Sequence, residues 1–531
     1  MNRSRSRAVL VLAVAAVVAG VTPAAAGTGH RPSVPELPLG PSDLPQSSST
    51  RQLEPGVTLT EITRGAIDPD TAWVVELSIP GGAGSPDPDA PARSVQDRGA
   101  ADDLVTRLAA AGFSAQDDAV RQPRVADLPA SVIGYRVRLA EQFPTQAAAT
   151  TAAASLKAAG FTGRAWYTGW DGGSDVAGQW NVKVLTIDPS RFRGELGATY
   201  GPDIENRETT TALGRSVGAV AAINAGFFVL DPKAGAQGDA AGVGVYNGVL
   251  ESETTAGRPA LLLTSNARHT SVIRPTWRGS VNLGGRSYPL DGINRVPGLI
   301  RNCGGIGDQP TDLPQHDVTC TDPDELIVFT GAFGATTPAG AGAEVVLDRR
   351  SKVVAVHAQR GVALRPGERS VQATGAEAAE LATVRPGQLL RISTSITDGR
   401  ANLARPGVTV VNGGPQLLQN GRVHITQRTD GMVHADDPSF AYGWVLQRNP
   451  RTFAGVDARG RTVLVTVDGR QLGDLGLSIP ETAAVAKALG MTEAINLDGG
   501  GSTAMAIDGQ LISHPSDATG ERPVGDAIYL G

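Results

Sequence analysis

The stretch Asn496-Leu497-Asp498-Gly499-Gly500-Gly501-Ser502-Thr503 gathers a carboxylate, an amide and two hydroxyls around three glycines. It lies between two short apolar runs, Thr492–Ile495 and Ala504–Ile507, which read as strands rather than linker. Glycines at that point let the backbone turn tightly or approach a ligand where a Cβ would clash. A second carboxylate closes a similar run. Arg461–Asp468 is β-branched and apolar, and Gly469 and Arg470 follow it.

One element joins the two carboxylates. Ser478-Ile479-Pro480-Glu481 is a helix start, with Ser478 as N-cap and Glu481 three residues on. The helix runs through Ala483, Val485, Ala486 and Leu489, and Gly490 ends it. The order is therefore strand, helix, strand. If the strands are parallel, Asp468 and Asp498 emerge at one sheet edge and face one crevice. Either Asp alone fits a strand-end turn residue; the pair favours a site.

These segments resemble the phosphodiester glycosidase family. The resemblance rests on Asn449-Pro450-Arg451-Thr452, Val467–Arg470 and Asn496–Ser502. Ile223-Asn224-Ala225-Gly226-Phe227-Phe228 is similar to its opening motif, and Gly242–Gly248 and Asn412–Pro415 to its middle ones. It spans roughly residues 190–531. It implies hydrolysis of the bond between a sugar anomeric carbon and a phosphodiester, in N-acetylglucosamine-1-phosphodiester-like or cell-wall phosphoglycan substrates. The leaving group is already good, so the chemistry needs phosphate charge stabilisation and a carboxylate near the anomeric carbon. On that reading Asp498 is nucleophile or base and Asp468 the second carboxylate. Arg451 and Arg470 clamp phosphate, since a guanidinium matches two phosphate oxygens. Asn224 and Asn412 bond sugar hydroxyls or the acetamido group. Gly499, Gly500 and Gly501 form an N–H nest for phosphate oxygens, and Ser502 lies beside them.

Other candidates are weaker. His424 and His434 lie among Asp430, Asp436 and Asp437, as an acid/base, a metal cluster or, the favoured reading, a polar surface loop. Ser502 is a nucleophile only with a base that no sequence neighbour supplies. No cofactor is expected, and a divalent metal is left open.

The N-terminus reads as an export signal (residues 1–26). Arg3, Arg5 and Arg7 precede an apolar run, Ala8–Val21, and a small-residue cleavage site at Ala24-Ala25-Ala26. An uncleaved anchor is the alternative, although the run is short for a span. The expected location is secreted or cell-wall associated, with no integral membrane contact. In an oxidising compartment the only two cysteines, Cys303 and Cys320, should pair. Two free buried thiols are the other reading. A formal charge of −6 without a basic stretch argues against nucleic-acid binding.

The chain of 531 residues suggests two or three domains. Residues 27–54 read as a linker, rich in Pro, Ser and Gly. Residues 55–189 read as a separate unit with an internal echo: Leu108–Phe113 recurs as Leu156–Phe161, each closing an Ala-rich helix with Gly. Two strand-helix-strand halves give a ferredoxin-like sandwich. Tyr135–Leu139, Gln142-Phe143, the helix, Gly160-Phe161 and a last strand at Trp180–Val184 resemble a SPOR repeat, which implies peptidoglycan binding. The alternative is a small α/β domain with a structural or inhibitory role. Trp166, Tyr167 and Trp170 either stack on sugars or form core. The catalytic domain is expected at 190–531, α+β, strand-rich, with a mixed sheet and a βαβ unit. Two competing functions stay in view: a non-catalytic envelope glycan-binding protein, and a metal-dependent phosphodiesterase cutting the P–O bond.

Overall fold

A computed structural model describes residues 34–79, 91–173 and 175–531. The expected signal segment lies outside the described residues. The chain is strand-rich with few helices, a mixed α+β architecture as expected. Residues 36–531 form one compact unit.

Its spine is an eight-stranded antiparallel sheet. The strands run in the order Gln46–Glu54, Val57–Gly65, Gln179–Ile187, Thr462–Val467, Arg451–Asp457, Met491–Asn496, Gln416–Gln419 and Arg422–Val423. Thr462–Val467 and Met491–Asn496 both run antiparallel to Arg451–Asp457, which lies between them. They are thus parallel to each other, joined by the helix Ile479–Ala488: a βαβ unit split by one inserted strand. The helix starts where the sequence places it, with a reciprocal Ser478–Glu481 capping box. Both strands therefore end at the same sheet edge.

A five-stranded sheet packs against the spine, in the order Gln510–Leu511, Met505–Ile507, Ala221–Asn224, Ala527–Leu530, Leu196–Thr199. Leu59, Leu185, Leu464 and Ile495 from the spine meet Leu196, Ile223, Met505 and Ile528 in one apolar core. At about 25 cal/mol per Å² of buried apolar surface, this contact is the main force fixing the sheet edge that carries Asp498.

Residues 73–167 fold into a βαββαβ arrangement whose last strand is Gly163–Tyr167. The antiparallel strands Ala115–Gln122, Ser131–Leu139, Trp73–Leu77 and Gly163–Tyr167 lie side by side in that order, the ferredoxin-like topology. Helices Arg98–Ala110 and Gln146–Ala158 each end two residues before a left-handed glycine, Gly112 (φ 87°) and Gly160 (φ 86°).

Two expected boundaries move. The segment taken as linker to residue 54 contains the strand Gln46–Glu54, which pairs along its length with Val57–Gly65. The strand Gln179–Ile187, expected to complete the small sandwich, lies instead in the spine between Val57–Gly65 and Thr462–Val467. Residues 55–189 consequently share a sheet with residues 190–531 rather than standing apart from them. A strand's alternation is the same in any sheet, so the pattern at Trp180–Val184 could not name its partner.

Candidate active site

Asp498 leaves the end of Met491–Asn496 and is held by its backbone. Its N–H donates to the Ala225 carbonyl at 3.0 Å, and its carbonyl accepts from Asn224 Nδ2 at 2.7 Å. Its own carboxylate accepts from the Gly499 N–H at 2.9 Å. Gly500 takes φ 59°, and its N–H donates to the Pro450 carbonyl. A Cβ on Gly499 would sit 2.9 Å from that same carbonyl oxygen, and one on Gly501 would run into Arg522 and Asp517. The glycines thus allow tight packing against the Pro450 turn and Arg522.

Asp498 opens onto a narrow cleft shared with Arg451, Asn496, Gly499, Ser502, Trp444, Arg522, Arg301, Asn302, His316 and Asp317. Arg451 is only 3% exposed. Its Nε donates to the Leu477 carbonyl at 2.8 Å and its Nη2 to the Trp444 carbonyl at 2.6 Å. Among the described residues it has no carboxylate partner. Burial, reinforced by Arg470, lowers its pKa to about 9. Glu481 supplies an attractive charge, but a buried cation without a directly bonded carboxylate remains costly, and an anion delivered to the cleft relieves that cost.

Two neighbours complete the polarity. Asn496 is 4% exposed, and its Nδ2 donates to the carbonyls of Gly414 and Leu497. Its Oδ1 is buried without a donor among the described residues. That leaves one acceptor for a ligand N–H or O–H. His316 packs on Phe227, ring centroids 4.2 Å apart. Burial and then Arg258 hold it well below the usual histidine range, so it is neutral. Its Nδ1 lies 3.3 Å from Arg258, which can only donate, so the ring proton sits on Nε2. His316 is a donor rather than a base.

The expected site residues divide. Asp498, Arg451, Gly499 and Ser502 come together in this cleft. Asp468 is fully buried against Lys183 Nζ and accepts from the His514 N–H at 3.1 Å. With Asp474 and His514 it makes an acid–imidazole cluster, but Lys183 already supplies its positive charge. Asp468 is not among the cleft residues, although it shares the sheet edge, because its side chain turns into that pair. Asn224 is 0% exposed and spends both ends of its amide: Oδ1 accepts from Thr452 and Ala504, Nδ2 donates to Asp498. It positions Asp498 and cannot reach a sugar. Asn412 is likewise buried, clamping both backbone groups of Phe227. The Gly499 and Gly500 N–H groups are used inside the turn, so they form no nest. Arg470 lies over the Trp444 ring, 5.7 Å from its centroid, in a neighbouring cleft.

His434 stacks on Phe440 with centroids 3.8 Å apart, and Asp430 pairs with Arg274. His424 donates its N–H to the Leu417 carbonyl, and Asp437 caps the short helix Pro438–Ala441. The stretch is structural, and among the described residues it gathers no metal cluster. Cys303 and Cys320 form the expected disulfide. The loop between them carries His316 and Asp317, and Arg301 and Asn302 immediately precede it, so the bridged insertion makes one wall of the cleft. Sequence reasoning missed this wall and Trp444. The wall is shaped by positive backbone φ at Asn302 (69°), Cys303 (37°) and Asp317 (64°), for which the sequence carries no signal.

Residues 340–531 match the family described as phosphodiester glycosidase. The N-acetylglucosamine-1-phosphodiester alpha-N-acetylglucosaminidase of Bos taurus is 33% identical over 113 residues, which is 21% of this chain and 21% of that protein. The chain therefore matches only a fifth of the length of that curated relative. A Synechocystis structure shares the fold at 18% identity, with a TM-score of 0.51 over 92% of this chain and 76% of that one. A crystal structure from Burkholderia pseudomallei K96243, of a protein named as exported, is 34% identical with a TM-score of 0.81. It aligns over 94% of this chain and 99% of the other. At that coverage and identity the chain belongs to the family of the Burkholderia protein, and residues 340–531 carry its match to the phosphodiester glycosidase domain.

Proposed function

We propose that this chain is an exported hydrolase of sugar-1-phosphodiesters, cutting the bond between the anomeric carbon and the phosphodiester oxygen. The observation that carries the reading is Arg451, a buried guanidinium without a carboxylate partner among the described residues, in the same cleft as the Asp498 carboxylate. An anionic phosphodiester satisfies the first, and a developing anomeric cation is stabilised by the second.

The steps come from the groups present. The C1–O bond breaks, and the electron pair leaves with a phosphomonoester. Arg451 holds the phosphate oxygens and stabilises the charge as it grows. Asp498 faces the oxocarbenium-like carbon as nucleophile or as base for water. Asn496 Oδ1 accepts from a sugar hydroxyl or acetamido N–H, and His316 Nε2–H donates to an oxygen. N-acetylglucosamine-1-phosphodiesters and cell-wall phosphoglycans are the substrate classes favoured. The ferredoxin-like region is proposed as a wall-binding module for peptidoglycan.

The test is hydrolysis of synthetic sugar-1-phosphodiesters in ¹⁸O water. Label in the sugar hydroxyl supports the reading. Label in the phosphate moves the cut to the P–O bond and overturns it. Retention of the full chain on sacculi tests the wall-binding module.

A further inference from the structure

A second cleft, of ≈ 630 Å³, lies on the other side of Trp444. One wall comes from the ferredoxin-like region, with Arg164, Trp166 and Trp170; the other comes from the spine side, with Trp444, Gln447 and Arg470. Trp444 lines both clefts. It sits in a π-helical turn, Tyr442–Leu446, a rare conformation that recurs at functional sites.

The polar groups of this cleft are unusual. Gln447 is 3% exposed, and its Nε2 is buried with no acceptor among the described residues. The indole Nε1 atoms of Trp170 and Trp444, and Nε of Arg164, are in the same condition. Four residues that line this cleft thus each carry a buried donor with no acceptor among the described residues. A buried donor left unmade costs about 1–3 kcal/mol, so four together are not expected in a purely structural seam. The rest of the lining mixes indole rings with Arg448, Asn449 and Arg470. Trp166 and Trp170 meet edge to face with centroids 5.3 Å apart, and Arg164 lies 4.2 Å over the Trp166 ring. Indole faces suit the apolar faces of sugar rings. Arg164 is already paired with Glu76, so the pull on a ligand comes from the donors left without acceptors among the described residues, which suit acceptor-rich groups such as phosphate oxygens.

We infer that this cleft is a second subsite, holding a phosphate-bearing sugar unit adjacent to the one cleaved, so that the substrate is a phosphodiester-linked polysaccharide. The inference rests on the proposed hydrolase activity for its first cleft. The shared Trp444 wall places the two units next to each other along one chain. A small sugar-1-phosphodiester fills only the Asp498 cleft, and a polymer fills both.

The experiment compares two probes on the full chain: methyl-phospho-N-acetylglucosamine, and a tetramer of N-acetylglucosamine units joined by phosphodiesters. The wild type should turn over the tetramer with kcat/KM at least about tenfold above the monomer. Gln447→Met, which keeps the volume and removes the amide, should lower kcat/KM for the tetramer about tenfold through KM, leaving the monomer unchanged. Gln447→Glu should do more, by repelling the phosphate. The same tetramer without its phosphates should neither bind nor compete. Equal kcat/KM for both probes in the wild type, or equal losses on both in Gln447→Met, would overturn the subsite while leaving the hydrolase reading standing. If neither probe is cleaved, the hydrolase reading fails. Calorimetric binding of the tetramer then decides the subsite alone: weakening by Gln447→Glu supports it, and no binding overturns it. Wild-type competition between tetramer and monomer keeps the test alive should either variant fail to fold.

Discussion

Lys183 and Asp468 form a buried ion pair between two strands that lie 285 residues apart in the chain, with Lys183 Nζ against Asp468 Oδ2. Burial pushes the Asp468 carboxyl up, and Lys183 works against that shift. Removing Lys183 should strand a carboxylate in the core, at a cost of about 3–5 kcal/mol. Lys183→Met should therefore lower the urea midpoint sharply at pH 7. The loss should shrink as the pH falls, because a carboxyl whose folded pKa is raised is stabilised by protonation and destabilised above it. Adding Asp468→Asn should restore part of the loss. A Lys183→Met chain as stable as the wild type at neutral pH would remove the pair from the account of the fold.

Asp498→Asn should reduce kcat on a cleaved sugar-1-phosphodiester by at least about a hundredfold, close to 3 kcal/mol of barrier. The Asp498 backbone bonds to Ala225 and Asn224 do not use the carboxylate, and an Asn side-chain oxygen can still accept from the Gly499 N–H, so the turn should keep its place in the variant. Near-normal turnover by this variant would refute the assignment.

Arg451→Met makes a sharper prediction, because stability and activity should separate. The side chain loses two bonds to carbonyls and sheds a buried charge with no carboxylate partner among the described residues. Those effects oppose, so stability should stay within about 1 kcal/mol of wild type. Activity should fall through KM and kcat together, since phosphate is held in both ground and transition states. A large loss of stability would show that the guanidinium is structural.

Glu76 is fully buried and accepts from Arg138, Arg164 and the Tyr442 hydroxyl. Burial alone would raise its pKa, but Arg164 and Arg138 overcome that and hold it at about 2 against an ordinary 4.5. For a carboxyl depressed in the folded state, the stabilisation is complete above the unfolded pKa and disappears as pH falls through the folded one. It amounts to about 3 kcal/mol, present above pH 4.5 and lost progressively toward pH 2. Chemical denaturation across that range should show the slope in the wild type and a smaller one in Glu76→Gln.

A fragment beginning near Ser190 should fail to fold or to turn over substrate. It lacks Gln179–Ile187 and so leaves the Thr462–Val467 edge unpaired. A soluble, active fragment of that kind would contradict the sheet order.

How much of this was legible differs between residues. Ser478, Glu481 and the apolar runs around them are local signals, and the βαβ unit with Asp468 and Asp498 at one edge followed directly. Arg451 and Asp498 share a cleft because the strand Arg451–Asp457 is inserted between the two strands of that unit. The reversal at Asp468 was not readable, since its partner Lys183 lies in a strand the pattern assigned elsewhere. Asn224 and Asn412 looked like ligands for the same reason buried amides often do: the polar groups they satisfy are backbone atoms far along the chain. His316, Arg301 and Trp444 reach the cleft through loop geometry, for which sequence carries little periodic signal.

The interleaving of the strands also sets when the catalytic cleft can exist. Ala527–Leu530 pairs with Ala221–Asn224 and with Leu196–Thr199, and Arg522 lines the cleft itself. Contacts of such long separation are slow to form. During synthesis the ferredoxin-like region can assemble early from neighbouring segments, whereas the Asp498 cleft has no floor until residues beyond 520 have emerged. The proposed activity should therefore appear late in refolding, in step with the long-range sheet pairing and after the secondary structure of the small sandwich.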